Sequence, residues 1–394
     1  MKAVSLNVGF IPLVDAAPLI AAQEMGFAAE EGIALELVKA PSWSSLRDML
    51  VFGRVEAAHM LSPVPVASAL GLGGTGAALS AASVLSVNGN VIGVSNALAE
   101  RLREVGHDFA FNDARASGEA LIKAKPADAP LRIGVPFPFS MHAELLYYWL
   151  SALGLPAPQS VSIRTVPPPL MADAMAAGEI DAFCVGEPWG SITVENGAGE
   201  LLLPGKAIWN FAPEKVLAVR TDWAEREEAL LGRLIRACWR AGRWLAEPDS
   251  RGLAAELLSR PEYLNLPVEV LERSLSGRMV INGRGDTRET FGFVGFHKGC
   301  ATFPWRSQAE WIAHQLAART GLDRDAALRA GAKAFRSDLH RAALDGSEAD
   351  LPGASSKLEG AVHAETSIAS AHGQLSLLPD SFFDGRVFDP SRDN

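Results

Sequence analysis

Apolar and polar residues alternate over residues 4–10, with Leu6, Val8 and Phe10 on one face, and this period of two predicts a strand. From residue 13 to residue 25 the period becomes helical, and Gly26 ends the run. The same change recurs downstream. Residues 35–38 read as a strand, Ser42 as the cap of a helix over 43–52, and residues 57–60 as a short strand with a helix to about residue 70. Strands over 82–85 and 91–95 flank Asn88-Gly89-Asn90, a turn signal. An Ala/Arg/Glu-rich helix and a polar loop fill the stretch to Pro130.

A second run of the same kind starts at residue 131. Leu131-Arg132-Ile133-Gly134-Val135 is a buried-type strand, stopped by Pro136 and Pro138 because proline donates nothing to a ladder. Ser140 is a good cap for the helix that follows, so His142 falls in its first turn. Free N–H groups and the positive end of the helix dipole favour an anion there. A strand over 161–166, a helix over 170–177, a buried strand over 180–185 and a strand over 216–220 complete this run. Beyond residue 226 the pattern is helical, with helices over 226–246, 307–320 and 323–344. Residues 346–373, rich in Ala, Ser and Gly, read as a mobile linker, and the aromatic segment 382–390 as one that packs back onto the body or onto a partner.

Strands alternating with helices in two runs predict an α/β architecture of two lobes plus a helical block. The length of 394 residues suffices for both, and a hydrophobic content of 48% with mean hydropathy +0.11 excludes a disordered chain. The net charge of −10 argues against direct nucleic-acid binding over the surface, and no window is apolar enough to span a bilayer. The N-terminal residues carry no apolar leader or lipid-anchor cysteine, so with Met1 as the native start the expected location is cytoplasmic. Cys184, Cys238 and Cys300 are too widely spaced for a metal or redox motif, and Cys184 reads as core. The glycines of Gly71-Leu72-Gly73-Gly74-Thr75-Gly76 follow a helix and lack Gly-Lys-Ser/Thr, which makes them a turn rather than a phosphate loop.

Taken singly, Trp43 reads as core, Lys215 as a solvated charge, His142 as a surface histidine at a helix start, and His59 as a satisfied core histidine. A wider pattern changes this. Gly9-Phe10-Ile11-Pro12-Leu13-Val14-Asp15-Ala16-Ala17-Pro18-Leu19, Ala40-Pro41-Ser42-Trp43, Ala57-Ala58-His59-Met60, Asp181-Ala182-Phe183-Cys184-Val185-Gly186-Glu187-Pro188-Trp189 and Ala301-Thr302-Phe303-Pro304-Trp305 resemble the nitrate- and bicarbonate-binding proteins of ABC importers, in order, to about residue 345. The resemblance implies the two-lobed type II periplasmic-binding-protein fold, with a ligand cleft between lobes that closes about a hinge. It implies a first lobe of residues 1–115 and 214–345, a second of 120–213, and a linker and tail over 346–394. It also implies a ligand set of Trp43, Asn90, His142 and Lys215, with Gly89 and Glu187 behind it. Where this chain has Asn90, the transport proteins resemble glutamine, so the donor is kept one methylene shorter.

Nitrate and nitrite accept hydrogen bonds only, which suits an indole N–H, an imidazole N–H, an amide and an ammonium. Bicarbonate-binding members of the family place an acidic residue and a metal where Lys215 stands, so Lys215 favours nitrate or nitrite, with no cofactor and no metal. The absent leader and the tail are similar to a cytoplasmic branch, the NasS-type nitrate/nitrite sensor. That likeness implies an antiterminator response-regulator partner, held when the protein is empty and released when loaded. The alternative is a substrate-binding protein of an importer for nitrate or a related oxyanion. An enzyme on this fold, of the kind that makes the thiamine pyrimidine precursor, is disfavoured: the chain shows no Cys-rich cluster and no nucleophile with a positioned base.

Overall fold

A computed structural model describes residues 3–74, 76–126, 128–370 and 373–392; Thr75 of the glycine-rich turn lies outside these. Among the described residues the strands form two main sheets, each the floor of one lobe. The first runs in the order Val294–Gly295, Leu79–Asn88, Pro213–Arg220, Ala57–Leu61, Val4–Phe10, Ile33–Lys39. The second runs Val161–Thr165, Leu131–Val135, Ala182–Gly186, Asn90–Ser95, Gly199–Pro204. Each sheet has a parallel part, and in each an antiparallel strand carries the chain between lobes, Pro213–Arg220 in the first and Asn90–Ser95 in the second; the short edge strand Val294–Gly295 of the first is antiparallel to its neighbour as well. The fold is thus the two-lobed α/β type expected.

The turn at Asn88-Gly89 takes the left-handed φ values that this pair tolerates, +58° and +92°. It does not fold two strands onto each other. Leu79–Asn88 belongs to the first sheet and Asn90–Ser95 to the second, so the turn is the first crossing between lobes. The lobe boundary near residue 115 read from the sequence therefore moves back to Gly89, because the strand after the turn pairs with Ala182–Gly186. Residues 205–212 make the second crossing. The Asn88 amide ties the two together: its Nδ2 donates to the Asn210 carbonyl at 2.8 Å and its Oδ1 accepts from the Ala212 N–H at 3.1 Å.

Two further expectations change. The helix read over 323–344 is two helices, Arg324–Ala334 and Ser337–Leu344. Between them fully buried Phe335 bridges Ala81, and the Arg336 N–H donates to the Ala81 carbonyl at 2.9 Å. Burying an aromatic ring against the sheet outweighs helix continuity there. The stretch read as a mobile linker is tied to the body: Ser307 Oγ donates to buried Glu359 at 2.6 Å, and Arg306 N–H donates to the Ser355 carbonyl at 2.9 Å. Beyond it, Phe382 stacks on Trp209 and Trp311 at 4.8 and 5.8 Å between ring centroids, so the aromatic segment does pack onto the body. Tyr148 of the second lobe donates to Asp384 at 2.8 Å, and Arg319 of the helix Arg306–Thr320 donates to Glu144 at 2.6 Å. The tail and this ion pair therefore touch both lobes.

Candidate functional site

The cleft is built at the carboxyl ends of the parallel strands, where an open α/β sheet exposes the starts of its loops and helices. After Val4–Phe10, a short 3₁₀ turn over Val14–Ala16 carries Asp15. After Ile33–Lys39, Ser42 caps the helix Trp43–Val51 by accepting the Ser45 N–H at 3.2 Å, which fixes Trp43 at its first position. In the second lobe Ser140 caps Met141–Ala152 in the same way, accepting the Ala143 N–H at 3.2 Å, and His142 sits in the first turn as expected. Asn90 opens its strand, opposite Gly186.

Lys215 and Glu214 come from Pro213–Arg220. The register of this strand slips on either side of Lys215, a bulge in the ladder with Leu79–Asn88. Successive residues of a regular strand point to opposite faces; the bulge lets both of these aim at the cleft. Their side chains are fully buried, and Lys215 Nζ donates to Glu214 Oε1 at 2.9 Å. Lys215 is thus not the solvated charge that its residue type suggests. Its ammonium also lies 2.7 Å from Asp15 Oδ2 and 5.4 Å from the Trp43 ring centroid.

The structure brings the four expected residues together, around a group the sequence reading did not select. Glu214 is the hub. Its Oε1 takes Lys215 and lies 3.3 Å from His142 Nδ1, and its Oε2 accepts from Asn90 Nδ2 at 2.6 Å. Asp15 is the other missed residue, placed between Lys215 and His59, whose Nε2 is 2.9 Å away. His59 is buried, as expected, with this carboxylate beside it, and its ring stands 5.7 Å from that of Trp43. A carboxylate set among apolar Pro12, Leu13 and Val14 at a strand end was the available signal for Asp15. Gly186 is the third omission. A methyl group there would lie 3.7 Å from both Asp15 Oδ2 and His142 Nε2, so the glycine keeps open the space between lobes.

Burial would raise the Asp15 carboxyl, but Lys215 and His59 override it and hold it at about 2. For Glu214 burial wins over Lys215, and its carboxyl is pushed up. Burial, then the Lys215 charge, press the His142 imidazole well below its ordinary value, so it is neutral and can donate from one nitrogen. Trp43 Nε1 has no hydrogen-bond partner among the described residues, and neither nitrogen of His142 has one, so the single N–H of the neutral imidazole is also left over. An unmet buried donor is costly, about 1–3 kcal/mol, which makes these positions where a ligand oxygen would be favoured.

Glu187 and Gly89 stand behind this cluster. The Glu187 N–H donates to the Gly89 carbonyl at 3.1 Å, and the Glu187 carboxylate accepts from the Ser191 N–H at 3.2 Å and from Ser274 Oγ at 3.1 Å. Burial pushes this carboxyl up to about 7. Val14 N–H donates to the Glu187 carbonyl at 3.0 Å and Trp189 Nε1 to the Pro12 carbonyl at 2.8 Å, closing the lobes on each other. Among the described residues no group of three or more His, Cys, Asp or Glu could hold a metal ion, and no helix is long and apolar enough to cross a membrane.

The sequence pattern of the NMT1-like family runs through residues 1–259. The chain belongs to this family. It is 30% identical to the nitrate/nitrite binding protein NrtA of Synechococcus elongatus, over 98% of this chain and 83% of that one. It is 32% identical to the nitrate import ATP-binding protein NrtC of Synechocystis sp., over 80% of this chain but 46% of NrtC, so it spans about half the length of such import ATP-binding relatives. The crystal structure of the periplasmic nitrate-binding protein NrtA from Synechocystis PCC 6803 superposes with a TM-score of 0.83 at 27% identity, over 99% of this chain and 96% of that one. These relatives place the chain among substrate-binding proteins rather than enzymes, and they establish the type II periplasmic-binding-protein fold.

Proposed function

We propose that this protein binds nitrate, nitrite or a closely related small oxyanion in the cleft, as a binding protein of the importer type. The observation that carries the reading is the geometry around Glu214. Donors from both lobes, Lys215 and Asn90, converge on one flat two-oxygen anion with His142 Nδ1 3.3 Å away, and Trp43 Nε1 and the one N–H of His142 are still to be met. A set of donors that closes on a carboxylate suits nitrite or nitrate, which are also flat and accept only. Similarity to the NrtA proteins, whose names specify nitrate and nitrite, supports the same reading.

In this arrangement Glu214 competes with the ligand. An incoming anion takes over Lys215, Asn90 and His142, and the displaced carboxyl, already pushed up by burial, takes a proton. Binding then carries proton uptake, and affinity rises as pH falls towards the raised value of Glu214. Calorimetry with nitrate and nitrite, in two buffers of different ionisation enthalpy, measures both binding and the proton count. Glu214→Gln should abolish the proton uptake and tighten anion binding by about tenfold, the worth of removing one like charge. No heat with either anion sinks the ligand assignment; binding without proton uptake sinks only the role of Glu214.

The narrower reading, a cytoplasmic sensor that holds an antiterminator response regulator when empty, rests on the likeness to the NasS-type branch. The importer-type reading has the better support, from NrtA relatives that match along nearly the whole chain. Co-purification of a regulator that nitrate releases would restore the sensor reading. A ligand drives such release only through unequal affinity for the two states.

A further inference from the structure

A cavity of about 390 Å³ lies against both crossings between the lobes, lined by Val87 and Asn88 from the first and by Lys206, Asn210 and Phe211 from the second. Its size is that of a small-molecule site. Much of the rest of its wall is apolar, with Leu245, Leu275 and Phe296. Lys206, Arg251 and Lys298 also line it, and no carboxylate does, in a chain whose net charge is −10. None of these three cations has an ionic or hydrogen-bonded partner among the described residues. The contrast with the cleft is sharp: there every buried charge faces an opposite one.

Lys206 is the informative member. It is half-buried, burial alone lowers its ammonium, and its Nζ lies 3.6 Å from where a side chain on Gly292 would begin. Arg251 and Lys298 are exposed at the rim and Lys206 is half-buried, so the positive field that no carboxylate of the lining offsets favours an anion. The apolar wall adds a second requirement, since a bare inorganic ion leaves it uncovered.

We propose that this cavity is a second ligand site, for a small organic anion whose charged end meets Lys206, Arg251 and Lys298 and whose apolar body lies on Phe211, Leu245 and Phe296. Its walls include residues of both crossings, which the Asn88 amide ties together, so an occupant is linked to the relative position of the lobes and, by reciprocity, to whatever fills the cleft. The site does not depend on which ligand the cleft takes.

The test is a fluorescence titration of the full chain with anilinonaphthalene sulfonate, an apolar anion that brightens on leaving water. One equivalent should bind, and phenyl phosphate should displace it while phenol and inorganic phosphate at the same concentration do not. Lys206→Gln/Lys298→Gln should weaken the probe by about tenfold or more, the worth of two charge-assisted contacts. Arg251→Gln, at an exposed position that leaves the fold intact, should weaken it several-fold. Hydrogen exchange should place the protection at residues 291–298. Equal displacement by phenol, equal displacement by inorganic phosphate, unchanged binding in both variants, or protection elsewhere each overturns the proposal.

Discussion

Asp15, His59, Glu214 and Lys215 all come from the first lobe, whereas the second lobe gives the cleft Asn90, His142 and the bare backbone of Gly186. One wall carries the fixed charge together with the Trp43 indole, and the other carries only neutral donors and room. The difference separates two tasks. Buried ion pairs are held by their own partners, and removing one member leaves an uncompensated charge. Neutral donors cost less to bury and can exchange a protein partner for a ligand. On the reading proposed above, the first lobe would set the sign of the ligand and the second its shape.

The division can be broken most forcefully at Lys215. Lys215→Met leaves Asp15 and Glu214 facing each other, and should cost about 3–5 kcal/mol of folding stability as well as all measurable anion binding. His142→Leu, closer to it in volume, removes both nitrogens. It should weaken anion binding by about tenfold while costing only about 1 kcal/mol of stability. Denaturant unfolding and calorimetry on the pair decide the matter; equal losses of stability would erase the distinction between the walls.

Glu187 sharpens the comparison through pH. Its carboxyl is raised in the folded protein from the ordinary 4.5 to about 7. The contribution of its protonated form is therefore fully present below about pH 4.5 and is lost as pH rises through about 7. Glu187→Gln should flatten the stability profile across that interval, by up to about 3 kcal/mol at its upper end. Asp15 works in the opposite sense. Held at about 2, it contributes above its ordinary 3.8 and that contribution disappears as pH falls through 2. A profile unchanged by Glu187→Gln would mean that its burial is relieved in solution. The smallest effect is expected at the cap: Ser140→Ala should cost about 1 kcal/mol and loosen the first turn that holds His142, seen as a slight loss of anion affinity.

Much of the fold was legible because its signals are local. Alternation marked Val4–Phe10 and Leu131–Val135, and Ser42 and Ser140 cap the helices that their hydroxyls announced. The crossing at Asn88-Gly89 was not, since a turn sequence specifies dihedral angles and says nothing about which sheet the next strand joins. The break at Phe335 escaped for a similar reason: its partner, Ala81, is remote in the chain. At the site, Trp43, Asn90, His142 and Lys215 came from a family pattern that emphasises donors. Asp15 and Glu214 are acceptors, and their presence follows from electrostatics that only the folded chain displays: a buried ammonium must be neutralised.

Gly186 carries a consequence for how such a cleft could diversify. Its φ is not in the left-handed region, so alanine is allowed there, and the added carbon would lie 2.9 Å from Leu13 Cδ2, a side-chain tip able to yield. The pocket would shrink by one methyl group between Asp15 and His142 with no charge, donor or hinge residue altered. A single substitution at one position could thus sort a two-oxygen anion from a three-oxygen one. Selectivity in this lineage would then be adjustable in small steps while affinity for negative charge as such is conserved.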